Sequence, residues 1–503
     1  MVGARAAVSA GGSGPQERGV TRRGALRIGG VGLLGGGAGA AGWWRFGPES
    51  ALEPRTGAAL VEPAVVSSES GLLDVRLVAG RGERLVAGRR ADVLGYNDGL
   101  PGPTLRVRPG DTLRIELVNR LDAPTNLHVH GLHVSPEGNG DNVFVAVQPG
   151  ESFEYEHRLP DDHPPGVFWY HPHHHGNVAD QVFGGLYGAI VVEDPPDAAG
   201  GAEVEVARER VLVVSDISLD ESGSLKGASM QDRMMGREGD LVLANGQVMP
   251  VLEARPGERE RWRVVNACVS RYLELDLGDQ QLDLVARDLG PLTEPSAGEA
   301  VVLAPGNRAD MVLTAVSGST TVRLVPVDRG ESGMGGMMGG DGAASDAVDL
   351  LTFEVAGTVV GGGRPLPSPV AARDLRGQEP TRRRELVLET GMGMGGMSFT
   401  FGGRAFDPDR TDQEVALEAV EDWTIRNDSS MDHPFHLHVW PMQVLDAGDG
   451  PVQDPVWRDV VNVPARGTVT VRVAFDLPGR TVYHCHVLDH EDAGMMGVVR
   501  VGG

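Results

Sequence analysis

The chain has 503 residues and a formal net charge of −25, a length that accommodates two to four domains at roughly 100–200 residues each. So acidic a surface argues against nucleic acid and anionic membranes as partners and concentrates cations instead. With 72 glycines and 33 prolines set between short Val- and Leu-rich runs, the composition excludes a helical bundle and favours β-sandwiches.

From the N-terminus, Thr21-Arg22-Arg23-Gly24-Ala25-Leu26 leads into a weakly apolar Gly/Ala/Leu stretch from Ile28 to about Gly42. Paired arginines in that position resemble a twin-arginine export signal over residues 1–42. The stretch is too glycine-rich to predict a membrane span, so no stable membrane insertion is expected. Export to the periplasm, cell envelope or exterior is expected, with cleavage near residues 40–42, and residues 43–73 read as a flexible spacer.

A first unit is expected over residues 74–196. One of its strands follows Pro109-Gly110-Asp111 and ends at Asn119, with His128 and His130 nine and eleven residues further on. Gly166 precedes His171 by five, Tyr170 stands directly before that histidine, and a Val-rich strand closes the unit. The second unit, 203–357, repeats the opening: Asn266 follows Pro256-Gly257-Glu258 at the same spacing, but Leu275 and Leu277 fill the positions nine and eleven beyond it. Cys268 reads as a buried, inert thiol, and with Cys485 engaged elsewhere no disulfide forms. A linker rich in Gly, Pro and Arg, 358–383, leads to a third unit, 384–503. There Asn427 precedes His436 and His438 by nine and eleven, and Gly479 precedes His484 by five with Tyr483 adjacent. In this alignment Cys485 takes the slot of Pro172.

The chemistry concentrates in Tyr483-His484-Cys485-His486, followed by His490 and Met495. A Cys/His/His set with a weak axial Met suits copper that shuttles one electron, because soft thiolate and imidazole ligands favour that metal. Successive strand residues face opposite ways, so Cys485 points to one side and His484 and His486 to the other. Four pairs of i, i+2 spacing (128/130, 171/173, 436/438, 484/486) project eight imidazoles from strand faces toward one pocket, and His433 and His490 complete the Cys485 site. Ten of the 15 histidines enter this scheme. His174 and His175 are expected to support the second motif, and His133, His157 and His163 to be ordinary loop or strand residues.

The motifs HVHG (128–131), HPHHHG (171–176), HPFHLH (433–438) and HCHVLDHEDAGMM (484–496) resemble those of three-domain multicopper oxidases, the family of laccases and bacterial cuprous oxidases. Weaker similarity runs from about residue 74 to the C-terminus. The resemblance implies an all-β chain of three cupredoxin-like Greek-key β-sandwich domains holding four copper ions: one type 1, one type 2 and two type 3. It implies His433, Cys485 and His490 as type 1 ligands with Met495 axial and Met496 the competitor for that place. It implies His128 and His436 on the type 2 copper, and His130, His171, His173, His438, His484 and His486 on the type 3 pair. Val129 departs from the many members that carry Trp there. The terminal domains would share a trinuclear cluster, leaving the copper-free middle domain as spacer and substrate-side wall.

The same resemblance implies that a small-molecule or metal-ion reductant gives single electrons at type 1 copper. These pass through Cys485 to the cluster, where dioxygen takes four to become two waters. Protons are consumed, so carboxylate relays are expected. Glu491 matches an acidic position of the family, and Asp141 lies about two residues late for another; each also reads as a solvated loop carboxylate. A monomer is expected.

Ten of the 16 methionines fall in four short places: Met230/Met234/Met235, Met334/Met337/Met338, Met392/Met394/Met397 and Met431. Thioethers are soft ligands that prefer Cu(I), and Met431, with Asp428 and Asp432 nearby, holds a position that in cuprous oxidases lies beside the type 1 site. The Gly/Met tracts also read as low-complexity linkers and gap-fillers. Oxidation of Cu(I) or another low-valent metal and oxidation of phenols or aromatic amines both stay open. A non-catalytic cupredoxin-fold scaffold or copper-binding protein is the alternative, against which the complete ligand set argues.

Overall fold

The computed structural model describes residues 58–194, 206–298, 301–330, 347–361, 366, 373–393 and 396–502. The twin-arginine segment, the start of the spacer, and Met334, Met337, Met338 and Met394 lie outside the described residues.

Alternation builds the strands. Thr112–Asn119, for example, switches between half-buried and buried at every residue, the period of a strand with one face in the core. Three cupredoxin-like β-sandwiches result, each around its own apolar cluster. In the third, a six-stranded sheet runs Gly396–Phe401, Arg382–Gly393, Ala419–Asn427, Thr468–Phe475, Met442–Asp446, Pro451–Arg458. Its partner runs Gln413–Val415, Met496–Val501, Gly479–Cys485, His433–Leu437, Val460–Val463. The second sandwich repeats both orders strand for strand, and the first repeats most of them. Each contains the same parallel pair: Leu72–Val86 with Thr112–Asn119, Arg208–Ile217 with Arg259–Asn266, and Arg382–Gly393 with Ala419–Asn427.

Buried polar contacts repeat too. Glu260 holds both the Trp262 indole and Arg210, and Glu421 likewise holds Trp423 and Arg384. Tyr170 lies over Gly188 and Tyr483 over Gly497, where a Cβ would stand 2.2 and 2.4 Å from the tyrosine oxygens. Only glycine leaves room for the ring there.

The three asparagines pin the loops that carry or lose the ligands. Asn119 Oδ1 accepts from Leu121 N, and its Nδ2 donates to the Ala123 and Val147 carbonyls. Asn427 does the same with Ser429, Met431 and Val463, and Asn266 with Cys268, Arg271 and Leu303. The middle loop is one residue longer, because Asn266 meets Arg271 where the others meet the fourth residue on. A one-residue slip turns every later side chain to the opposite face. Leu275 and Leu277 accordingly point into the middle core and do not occupy the ligand slots, as spacing alone suggests. Register puts Asp276, opposite Arg323, where His128 stands opposite His171 and His436 opposite His484.

One expectation about a connecting segment is corrected. The described part of the spacer is ordered into the fold: Val65–Ser67 pairs with Thr104–Val107, and Ala59 bridges Val251. Its mostly exposed residues leave no apolar pattern to read. The end of the 358–383 linker is fastened to the third sandwich: buried Leu375 donates to Gln443 Oε1 and its carbonyl accepts from Arg472. Among the described residues no helix is long and apolar enough to cross a membrane.

Asn266→Ala removes three hydrogen bonds, two of them fully buried, and strands the Arg271 and Leu303 carbonyls. A destabilisation of about 2–4 kcal/mol is expected at roughly 1 kcal/mol per bond, seen as a fall of several degrees in Tm. An unchanged Tm would mean the loop holds itself.

Candidate metal centres

The strand Gly479–Cys485 delivers Cys485 to the core side, where Phe435 is its register partner. Cys485 Sγ lies 3.3 Å from His433 Nδ1 and 3.9 Å from His490 Nδ1, and all three residues are fully buried. The outer ring nitrogens are tied down: His433 Nε2 lies 2.8 Å from Ser429 Oγ, and His490 Nε2 3.1 Å from the Met234 carbonyl. A carbonyl only accepts, so His490 carries its proton on Nε2 and turns a bare Nδ1 toward the sulfur. Met495 is buried in the same cluster as Cys485, and its carbonyl accepts from Cys485 N. Met496 packs instead with Val143, Val482 and Val498. Burial pushes the Cys485 thiol up and the His433 imidazole down to about 3. Ionised sulfur at this dry site has no positive partner, and a soft cation is what the set lacks.

On the other side of the strand lie all eight paired histidines, each at most 2% exposed. Only His128–His130 lies wholly within a strand; His173, His438 and His486 stand just past strand ends, a departure from the expected strand-face pairs. Four of the eight have fixed acceptors at their outer nitrogens, whereas Nδ1 of His130, His438 and His486 has no hydrogen-bond partner. His171 Nδ1 lies 2.9 Å from the Pro172 carbonyl and His484 Nδ1 3.0 Å from the Cys485 carbonyl, the same contact in two repeats. His436 Nδ1 lies 2.7 Å from the Asp459 carbonyl, and His128 Nδ1 2.9 Å from both Asp141 oxygens.

In these four, with Asp141 ionised, a proton held on Nδ1 leaves the inner nitrogen as a lone pair. His128 Nε2 and His436 Nε2 thus face each other at 3.4 Å with no hydrogen between them. His173 Nε2 and His438 Nε2 each lie 3.1 Å from His484 Nε2. The Nε2 atoms of His130, His171 and His486 have no hydrogen-bond partner. Buried acceptors without donors are costly, and cations bound among these nitrogens would satisfy them all. Burial, then the neighbouring imidazoles, holds His128, His130, His436, His438 and His486 well below the usual histidine range. They are neutral and ready to ligate.

Three carboxylates border the pocket. Glu491 is fully buried, 3.1 Å from His484 Nδ1 and 3.5 Å from His173 Nε2, and burial raises its carboxyl to about 7. Asp141, despite its late position in sequence, is fully buried on His128, accepts from Val129 N, and is raised by burial to about 7. Neither is a solvated loop acid. Asp459 was not singled out by sequence reasoning, since no histidine is near it in the chain. Its Oδ2 lies 3.0 Å from His130 Nδ1, off the hydrogen-bond axis, and burial raises it to about 6 against the pull of Arg308. The Gly306–Arg308 turn of the middle sandwich also went unnoticed. A Cβ on Gly306 would stand 2.9 Å from His486 Nε2.

The other candidates are dispersed. Met431 is buried, and its carbonyl accepts from the Ser429 hydroxyl that touches His433. Asp432 accepts from Asn462 Nδ2 and Ala465 N, and Asp428 pairs with Arg426, so these acids do not gather with Met431 into one site. His174 and His175 stay outside the pocket. His157 is buried and held down to about 3 by desolvation. His133 is more than an ordinary loop residue, because it reaches the third sandwich at the Val439 carbonyl and Asp476. Cys268 is buried and its thiol is pushed up by desolvation.

Multicopper oxidase family models match residues 80–197, 210–322 and 379–503. The multicopper oxidase mco of Staphylococcus haemolyticus is 31% identical across 82% of this chain and 84% of its own length. A solved multicopper oxidase of Campylobacter jejuni, described as a metallo-oxidase, is 28% identical with a TM-score of 0.79, covering 90% of this chain and 98% of that one. The laccase-like multicopper oxidase CueO of Ochrobactrum sp. is 27% identical with a TM-score of 0.75, covering 88% of this chain and all of the other (100%). The chain belongs to the multicopper oxidase family. It is therefore an oxidoreductase whose cofactor is copper and which uses dioxygen and a reductant.

The pocket makes the copper-free protein acid-labile. A histidine whose pKa is lowered on folding takes its proton only when unfolded, so stability falls as pH drops from about 6.5 toward 4, by about 1.4 kcal/mol per pH unit for each. The raised carboxyls of Asp141 and Glu491, at about 7, act oppositely, their contribution being lost as pH rises, but the histidines outnumber them. Fluorescence-monitored acid unfolding should show a midpoint between pH 4 and 6.5 (roughly, from these pKa directions) that moves lower on copper loading. A midpoint indifferent to copper would contradict the buried-neutral reading.

Proposed function

We propose that this chain is an exported oxidase that couples one-electron oxidation of Cu(I), or another low-valent metal ion, to reduction of dioxygen to water. His433, Cys485 and His490, with Met495 axial, hold the type 1 copper; His128 and His436 hold type 2; His130, His171, His173, His438, His484 and His486 hold the type 3 pair. Copper so held supplies one-electron chemistry at the sulfur and four-electron chemistry at the histidine pocket. Cys485 is covalently joined to His484 and His486, one on each side, and so spans the two centres. Glu491 and Asp141 each keep a proton near neutrality at the pocket wall and are assigned as relays. Domain limits of 74–196, 203–357 and 384–503, twin-arginine export and a monomeric state complete the reading.

The observation that carries it is the pair of facing lone pairs on His128 and His436, 3.4 Å apart in a dry pocket. The metal substrate is favoured by what adjoins the type 1 histidines along segments that carry methionines in sequence. The helix Met230–Met235 puts the Met234 carbonyl on His490. Phe399, two residues from Met397, stacks on the His490 ring at 4.2 Å. Arg329, whose carbonyl accepts from Asp432 N, leads directly into the tract that carries Met334, Met337 and Met338. His490 is fully buried beneath these groups, so a phenol has no direct contact with its edge. The relative described as a metallo-oxidase agrees with this reading.

Two measurements test it. Cys485→Ser should remove the intense visible absorption and oxygen uptake together, while copper in the histidine pocket remains. Deleting residues 331–346 should lower turnover of Cu(I) at least several-fold and leave a phenol unaffected or faster; equal loss for both substrates would reduce the tract to a linker.

A further inference from the structure

The middle sandwich supplies no ligand, yet one of its side chains reaches the histidine pocket's wall. Arg308 is fully buried. Its Nη1 donates to both oxygens of Asp459, at 2.7 and 2.8 Å, and to the Gly306 carbonyl; its Nε donates to the Val167 carbonyl of the first sandwich. Asp288 stands 3.4 Å away, and Arg458 pairs with Asp288 from the third sandwich. One guanidinium thus binds all three sandwiches together.

Asp459 turns that anchorage toward the pocket. Its backbone carbonyl accepts from His436 Nδ1 at 2.7 Å, and its carboxylate lies 3.0 Å from His130 Nδ1. The two imidazoles come from different sandwiches and are stacked at 4.0 Å and 9°. A ligand imidazole is oriented by whatever holds its outer nitrogen, and losing that partner weakens metal binding about 10–100-fold. The chain makes room for the arrangement at Gly131, with φ +90°: a Cβ there would lie 2.6 Å from Arg308 Nη2 and 2.7 Å from Asp459 Oδ2. The glycine of the HVHG motif is therefore required by a residue more than 170 positions away.

We infer that Arg308 and Asp459 are positioning residues for the trinuclear copper site, through which the ligand-free middle domain sets the orientation of His130 and His436. This rests on the proposed function and adds to it a role for a domain that holds no metal.

The test uses the full copper-loaded chain. Because a lone buried charge is strongly destabilising while a well-packed apolar pair in place of an ion pair is often neutral, two variants are compared: Asp459→Asn, and the double replacement Arg308→Met with Asp459→Leu. Copper retention against a chelator, the electron paramagnetic resonance signal of the non-blue cupric ion, and Tm are recorded. Expected for both is a roughly 10–100-fold loss of copper affinity in the histidine pocket with an altered non-blue signal. The visible band of the Cys485 site should be retained, and the double variant should keep a Tm near wild type. A double variant with wild-type Tm, pocket affinity and signal overturns the inference, as does a loss of affinity that only tracks loss of Tm. Should the wild-type pocket itself fail to retain copper, the proposed function falls, a distinct result.

Discussion

Eight buried imidazoles, four of them with the outer nitrogen held by a fixed acceptor and the inner nitrogen left bare, form the constraint around which this molecule is arranged. Water would satisfy such lone pairs, but the residues are sealed from it. Protonation would do so too, but burial and mutual repulsion oppose it. What remains is a cation, and the protein achieves specificity for it less by adding ligands than by withdrawing every alternative donor. The carbonyls of Pro172, Cys485 and Asp459 do this as surely as the histidines themselves, since each fixes a tautomer.

Repetition of one sandwich explains how such a pocket arises between distant parts of a chain. The first and third copies place a histidine strand beside a second strand that begins at a positive-φ glycine, Gly166 or Gly479, and brings up another histidine. Where the first copy has Pro172 the third has Cys485, which together with His433 and His490 gives that copy its second candidate centre. In the middle copy the extra residue before Arg271 shifts the numbering by one, so Asp276 stands at the register position of His128 and His436 while Leu275 and Leu277 stay in the core. That position carries an acid in place of a histidine, a difference of residue choice and not of register.

Much of this was legible in the sequence because metal ligands are scarce residue types at short, repeated spacings. The Cys485 segment and the four pairs needed only strand alternation to be grouped, and Asn119, Asn266 and Asn427 exposed the repeat. What escaped was of two kinds. Asp459 and Arg308 act across sandwich boundaries, where spacing carries no information and acids and arginines are too common to stand out. The Leu275 and Leu277 slots were misjudged because a fixed offset from Asn266 cannot register one extra loop residue. Asp141 was undervalued for the same reason: loop length moved it in sequence while the fold returned it to His128.

The middle sandwich touches both centres, which bears on why it is kept. Its short helix puts the Met234 carbonyl on His490, and its Gly306 packs against His486 while Arg308 grips Asp459. Both histidines follow Cys485 within five residues, so any shift of this domain is felt along the same short segment. Its Arg237 adds a third hold, binding Asp489 immediately before His490 and Asp180 of the first sandwich. A spacer would tolerate small rotations. With three grips on the stretch from His486 to His490, this domain instead behaves as a clamp on the segment that joins the sulfur to the histidine pocket.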